Sequence, residues 1–104
     1  MPTIEIAGKQ VTVNDEGFMT VYDEWSDEIA QVLAAQVDIE LTPRHWEVIH
    51  FLRDDFIKEG ESSTSRHTQT VGGFPIKEQF ELFPKKPAKK MSYIAGLPKP
   101  KGCV

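Results

Sequence analysis

The one cysteine of this chain is its next-to-last residue, Cys103, in the run Leu97-Pro98-Lys99-Pro100-Lys101-Gly102-Cys103-Val104. A thiol there is badly placed for core packing, where a buried cysteine acts as a small hydrophobe, and with no second cysteine it cannot close an intrachain disulfide. A terminus with few contacts can travel and insert, which suits a carrier that offers its sulfur to the active sites of other proteins. A plain free cysteine on a frayed tail is the other reading, and position alone slightly favours it. The reactive form is the thiolate, which neighbouring positive charge stabilises. Lys99 and Lys101 push that way, while the Val104 carboxylate opposes them at least as closely, so activation falls to a partner's pocket or to this chain's own Arg66. Gly102 leaves room for close backbone approach, and Pro98 and Pro100 stiffen the arm, reducing the entropy lost on insertion.

Other residue types capable of chemistry form no pattern as specific. His45 and His50 are five apart, off a shared helix face, and His67 has no cysteine partner nearby; solvent-facing or core-satisfied histidines are the reading, and no metal site is expected. Asp23, Glu24, Asp27, Glu28, Asp54 and Asp55 read as a solvated acidic face. Trp25 and Trp46 read as core or hairpin-packing residues. Gly72-Gly73 lacks the further spacing of a phosphate loop.

The elements that must position these residues follow from pattern. The chain has 104 residues, enough for one domain with a modest core. Alternating Thr3–Ala7 and Lys9–Val13 around Gly8, closed by Asn14-Asp15-Glu16-Gly17, predict a β-hairpin whose apolar face needs helices to cover it. Ser26 is placed to cap a helix running through Ile29, Leu33 and Val37. Thr42-Pro43 begins a second, carrying Trp46, Ile49, His50, Leu52, Arg53 and Phe56 at helical spacing and ending at Gly60. Glu61–Thr70 reads as a loop or a short capped helix around Arg66, Ile76–Phe83 as a short helix, and Lys85–Tyr93 as one further helical stretch. Pro98–Val104 reads as an extended arm. The fold class is therefore α+β: an N-terminal hairpin on a small helical bundle with a helix-turn-helix-like element, a single domain over 1–97 and a flexible arm over 98–104.

Charge is divided along the chain. Residues 1–61 hold 14 acidic and 4 basic side chains, residues 62–104 hold 2 and 8, and the net charge is −4. An acidic body argues against general nucleic-acid binding, and Glu47, Asp54 and Asp55 on the second helix would face DNA phosphates unfavourably. The basic tail suits docking to acidic surfaces or polyanions. No apolar run approaches a membrane span, Met1–Glu5 lacks the features of a signal peptide, and one unpaired cysteine fits a reducing, cytoplasmic setting.

Leu82-Phe83-Pro84, Pro87-Ala88-Lys89, Ile94-Ala95-Gly96-Leu97-Pro98-Lys99-Pro100 and the penultimate Cys103 resemble the C-terminal signature of the DsrC/TusE family. Leu41-Thr42-Pro43-Arg44-His45-Trp46-Glu47-Val48, Phe51–Asp54 and Asp15-Glu16-Gly17-Phe18 extend the resemblance over nearly the whole chain. It implies a small α+β sulfur carrier whose penultimate cysteine, Cys103, holds sulfur as a persulfide, with no metal or organic cofactor. The implied partners are a sulfur-relay donor complex and an acceptor, either a tRNA thiolation enzyme or a siroheme sulfite reductase. Members acting with sulfite reductase use a second arm cysteine eleven positions upstream, where this chain has Ser92. A hydroxyl takes no part in thiol–disulfide exchange, so a single-cysteine, TusE-like role is implied, with Lys99 and Lys101 for docking and Arg66 as an anion or persulfide contact. Two departures stand out: Arg66 lies in polar Thr64-Ser65-Arg66-His67-Thr68 rather than an apolar helix, and Thr70–Glu78 is several residues short, with Gly72-Gly73 and Pro75 where the family keeps a helix. The remaining readings are a regulatory subunit that senses sulfur through Cys103, and a helix-turn-helix DNA-binding regulator.

Overall fold

Ala7 and Gly8, both at positive φ (52° and 78°), turn the chain between β1 (Thr3–Ile6) and β2 (Lys9–Thr12). The pairing is antiparallel with Ile4 opposite Val11 and Ile6 opposite Lys9. Two consecutive left-handed residues make the turn whose twist matches that of the flanking strands. The computed structural model describes residues 2–101. Ile6, Val11 and Val13 are buried, whereas Ile4 is 44% exposed, so the hairpin meets the core through Ile6 and the inward residues of β2 and its extension rather than through Ile4. Glu24, expected on a solvated acidic face, instead accepts the Thr12 N–H at 2.7 Å and ties the hairpin to the single helical turn Tyr22–Glu24.

The predicted caps are in place. Ser26 accepts the Ile29 N–H and opens α1 (Asp27–Gln36), which stops one residue short of Val37, where Asp38 turns left-handed at φ 59°. Thr42 and His45 form a reciprocal capping box at the start of α2 (Pro43–Glu59), and Gly60 closes it. Since the Thr42 N–H donates to His45 Nδ1, Nε2 is left to donate to the Leu82 carbonyl, 2.7 Å away. His45 is thus a buried cap, the second of the two alternatives that the sequence left for the histidines. Thr64 caps α3 (Ser65–Thr70), and α4 (Ile76–Leu82) and α5 (Pro87–Ile94) follow. Arg66 therefore lies in a helix, whereas residues 71–75, with Gly72-Gly73 and Pro75, link α3 to α4 without one. α5 starts later than the expected Lys85 because a residue before proline avoids the α region; Lys85 and Lys86 both sit left-handed, at φ 60° and 54°.

α5 packs on α1 and α2, and α4 bridges α3 to α5. The core at this junction is built from Ile29, Leu33, Val48, Ile49, Leu52, Met91, Ile94 and Leu97. At the other end of α2, Arg44 makes a two-pronged ion pair with Glu78 of α4, both contacts 2.8 Å, while its guanidinium lies 4.5 Å from the centre of the Phe74 ring. The Arg44 hydrogen bonds hold the Glu78 carboxyl below the usual glutamate range. A carboxyl with a depressed folded-state pKa stabilises the fold above its unfolded pKa, and this contribution disappears as pH falls through the folded value. Wild-type stability to urea should therefore decline below about pH 4 more steeply than that of Arg44→Gln, and parallel pH profiles for the two would contradict it.

Candidate functional site

The C-terminal arm leaves α5 through a turn that satisfies all four orphan carbonyls of that helix. Gly96, left-handed at φ 71°, donates its N–H to the Tyr93 carbonyl, and Leu97 donates to Ser92; this is a Schellman motif. The two carbonyls that it leaves over are met by side chains from far along the sequence. Trp25 Nε1 donates to the Ile94 carbonyl at 2.9 Å. Arg53 Nη1 donates to the Ala95 carbonyl at 2.8 Å, and its Nη2 donates to the Tyr22 carbonyl at 2.9 Å. The guanidinium itself lies 3.8 Å from the Tyr22 ring centre and 4.2 Å from that of Trp25. Burial lowers the Arg53 pKa, and Tyr22, Asp23 and Asp54 oppose that shift; arginine nonetheless stays a cation. The spacing of α2 had placed Arg53 among its apolar positions without assigning it a role, and a charged group on that stripe was the available signal.

The backbone turn admits no side chain. A Cβ at Gly96 would stand 2.4 Å from Cδ1 of Trp25. Gly96→Ala combines left-handed strain with this clash, and a loss of about 2–3 kcal/mol is expected, read as a lowered urea midpoint with an unchanged slope.

Beyond the turn, residues 98–101 lie against the body. Ser62 donates its hydroxyl to the Pro98 carbonyl, Lys99 reaches Glu16 at 3.4 Å, Pro100 is buried, and Lys101 stands 3.9 Å from Glu61. Two of the lysines expected to dock onto acidic partners thus meet the chain's own acids. Arg66 and Lys101 come together in one groove of about 320 Å³, with Lys86, Phe80 and Pro100 among its walls, and Lys99 lies on the hairpin side instead. Arg66 itself is exposed. Cys103 lies outside the described residues.

Ser92, the position of the missing second cysteine, is not on the arm. It lies within α5 at 0% exposure, and its hydroxyl has no partner among the described residues. Two further expectations need correction. Asp55, read as part of a solvated face, is 4% exposed; one of its oxygens accepts from His67 Nε2 at 2.8 Å. His67, read as solvent-facing or core-satisfied, is half-buried on this carboxylate. The two residues meet across twelve positions of sequence, a contact that no local pattern records.

The family model described as DsrC like protein matches residues 5–104, from β1 through Cys103. The chain belongs to the DsrC-like family. It is 36% identical to Sulfurtransferase TusE of Escherichia coli K12 over 104 residues, 93% of this chain and 95% of that protein. It is also 36% identical to the gamma subunit of the dissimilatory-type sulfite reductase of Nitratidesulfovibrio vulgaris over 105 residues, the full length of both. The solution structure of DsrC from Allochromatium vinosum superposes with a TM-score of 0.83 at 39% identity, over 98% of this chain and 97% of that one. This DsrC-like chain therefore has the α+β architecture of the family, as its hairpin and five α-helices already indicate. Among the described residues no helix is long and apolar enough to cross a membrane.

Proposed function

We propose that this DsrC-like chain is a sulfur carrier in which residues 1–97 form the body and 98–104 an arm that presents Cys103. The Cys103 thiolate attacks the outer sulfur of a donor persulfide; the donor S–S bond breaks, the donor leaves as a thiolate, and Cys103 holds the transferred sulfur as a persulfide. Attack by an acceptor thiol on that outer sulfur returns Cys103 as a thiolate, so neither half-step needs an external oxidant or reductant. The reading is carried by the family match, which extends through the chain's one thiol. Arg66 and Lys101, around one groove at the base of the arm, are suited to an anionic persulfide or to an acidic partner surface.

The single-cysteine, TusE-like form of this chemistry is favoured by Ser92. A chain that closed a disulfide from that position would need a thiol there, whereas this one has a hydroxyl enclosed in α5. The donor is then a persulfide-bearing relay protein and the acceptor a thiol of a downstream thiolation enzyme. Intact mass after exposure to a persulfide-loaded donor should show one added sulfur, lost on reduction and passed on to a second thiol protein. Loading without onward transfer would replace the carrier with a sulfur sensor, and absence of loading would overturn the reading.

A further inference from the structure

Asp55 and Glu59 stand one turn apart at the C-terminal end of α2, and His67 of α3 comes across to meet them. One ligand-capable atom from each of the three lies within 4.8 Å of the others. They border a cleft of about 200 Å³ that Glu61, Ser62, Ser63 and Thr64 complete, large enough for an ion with several waters, each of which takes about 30 Å³.

Two features of this cluster call for a positive ion. The first is Asp55 Oδ2: the residue is 4% exposed, its Oδ1 is taken by His67, and Oδ2 has no hydrogen-bond partner among the described residues. A buried carboxylate oxygen without a partner forfeits its hydration and gains nothing in exchange. The second is location. Carboxylates at a helix C-terminus face the negative end of the helix dipole, and in the last turn of α2 Lys58 is the basic residue set against them. Glu61, on the same cleft, adds a third acid, partly offset by Lys101 at 3.9 Å.

We propose that Asp55, Glu59 and His67 form a binding site for a divalent transition-metal ion of the zinc class, independent of the sulfur chemistry of Cys103. The donor set is one imidazole nitrogen and two carboxylates. Imidazole selects for zinc and its neighbours, while Mg²⁺ and Ca²⁺ favour all-oxygen shells. Zinc–ligand bonds of about 2.1 Å in a tetrahedral shell place the ligand atoms about 3.4 Å from one another. Closing the cluster from within 4.8 Å therefore needs a shift of at most about 1.4 Å, which exposed Glu59 can supply by rotation. Binding replaces the hydrogen bond from His67 Nε2 to Asp55 Oδ1: the ion takes the Nε2 lone pair, the ring hydrogen resides on Nδ1, and the Asp55 carboxylate meets the ion instead. Waters complete the shell on the open side of the cleft.

The test uses the full chain carrying Cys103→Ser, which removes its one thiol as a competing ligand. Titration calorimetry with ZnCl₂ should give one ion per chain, an excess of MgCl₂ should not displace it, and melting temperature should rise with zinc. His67→Gln and Glu59→Gln should each weaken binding at least about tenfold and abolish the visible absorption of a Co²⁺ adduct. Both side chains are partly or fully exposed, so these variants fold even if Asp55→Asn does not. Failure to bind Zn²⁺ at one ion per chain, equal affinity for Mg²⁺, or affinity unchanged by His67→Gln would each overturn the site and leave Asp55 and His67 as a strut between α2 and α3.

Discussion

Cys103→Ser is expected to gain no sulfur at all under conditions that load the wild type fully. The effect should be absolute rather than graded, because the chain has one cysteine and a hydroxyl neither attacks a persulfide nor stores sulfur. Fold stability should be unchanged, since the described body is complete without this side chain: the core, the Schellman turn and the Arg53 contacts all lie at or before residue 97. The measurement is intact mass before and after exposure to donor, with a urea titration on the same samples. A serine variant that still gained a reducible sulfur would locate the chemistry elsewhere and end the carrier reading.

Arg53→Ala should cost about 3–5 kcal/mol, combining the loss of two charge-assisted hydrogen bonds with that of a desolvated cation–π stack. The Ala95 and Tyr22 carbonyls lose their donor together, and the space between the Tyr22 and Trp25 rings empties. A fold of this size has only about 5–15 kcal/mol in total, so the shift in urea midpoint is large. Arg53→Lys should recover little, because a single ammonium cannot serve two carbonyls in the geometry of the planar fork. The cost is also distributed unevenly along the chain. Arg53 and Trp25 hold the final carbonyls of α5, so their loss should raise hydrogen exchange at Leu97 before it does so in the centre of α2. A midpoint shift below about 1 kcal/mol would mean that water replaces the guanidinium at both carbonyls.

What the sequence disclosed, and what it withheld, divides by distance along the chain. Ser26, Thr42-Pro43 and Gly60 act on backbone groups within a few residues, so their roles are visible locally. The family was legible from the long motif around the penultimate cysteine, whereas the position of that cysteine alone slightly favoured a frayed tail. Arg53 was not, because its partners come from 31 and 42 residues away; on the helix it is simply a long side chain on an apolar stripe. Asp55 belongs to the same class, since its partner His67 comes from α3, twelve residues later. The arm misled for a different reason. Pro and Lys composition reads as free chain, and a hydroxyl from Ser62, 36 residues away, is what holds Pro98.

The anchoring of residues 98–101 fixes how far a delivered sulfur can reach. Cys103 stands two residues beyond Lys101, and covalent geometry limits so short a leash to about 7 Å. If the Pro98, Lys99 and Lys101 contacts open, the leash begins at Leu97, six residues back, and its limit grows to about 21 Å. Search volume scales with the cube of that length, so release enlarges it about 27-fold. The two ion pairs that hold the leash short are exposed and weak, and salt or an acidic partner surface competes with them directly. Under the carrier function proposed above, Lys99 and Lys101 would then act as a catch: a partner that takes them up from Glu16 and Glu61 lengthens the leash at the moment of docking, while the undocked chain keeps it short.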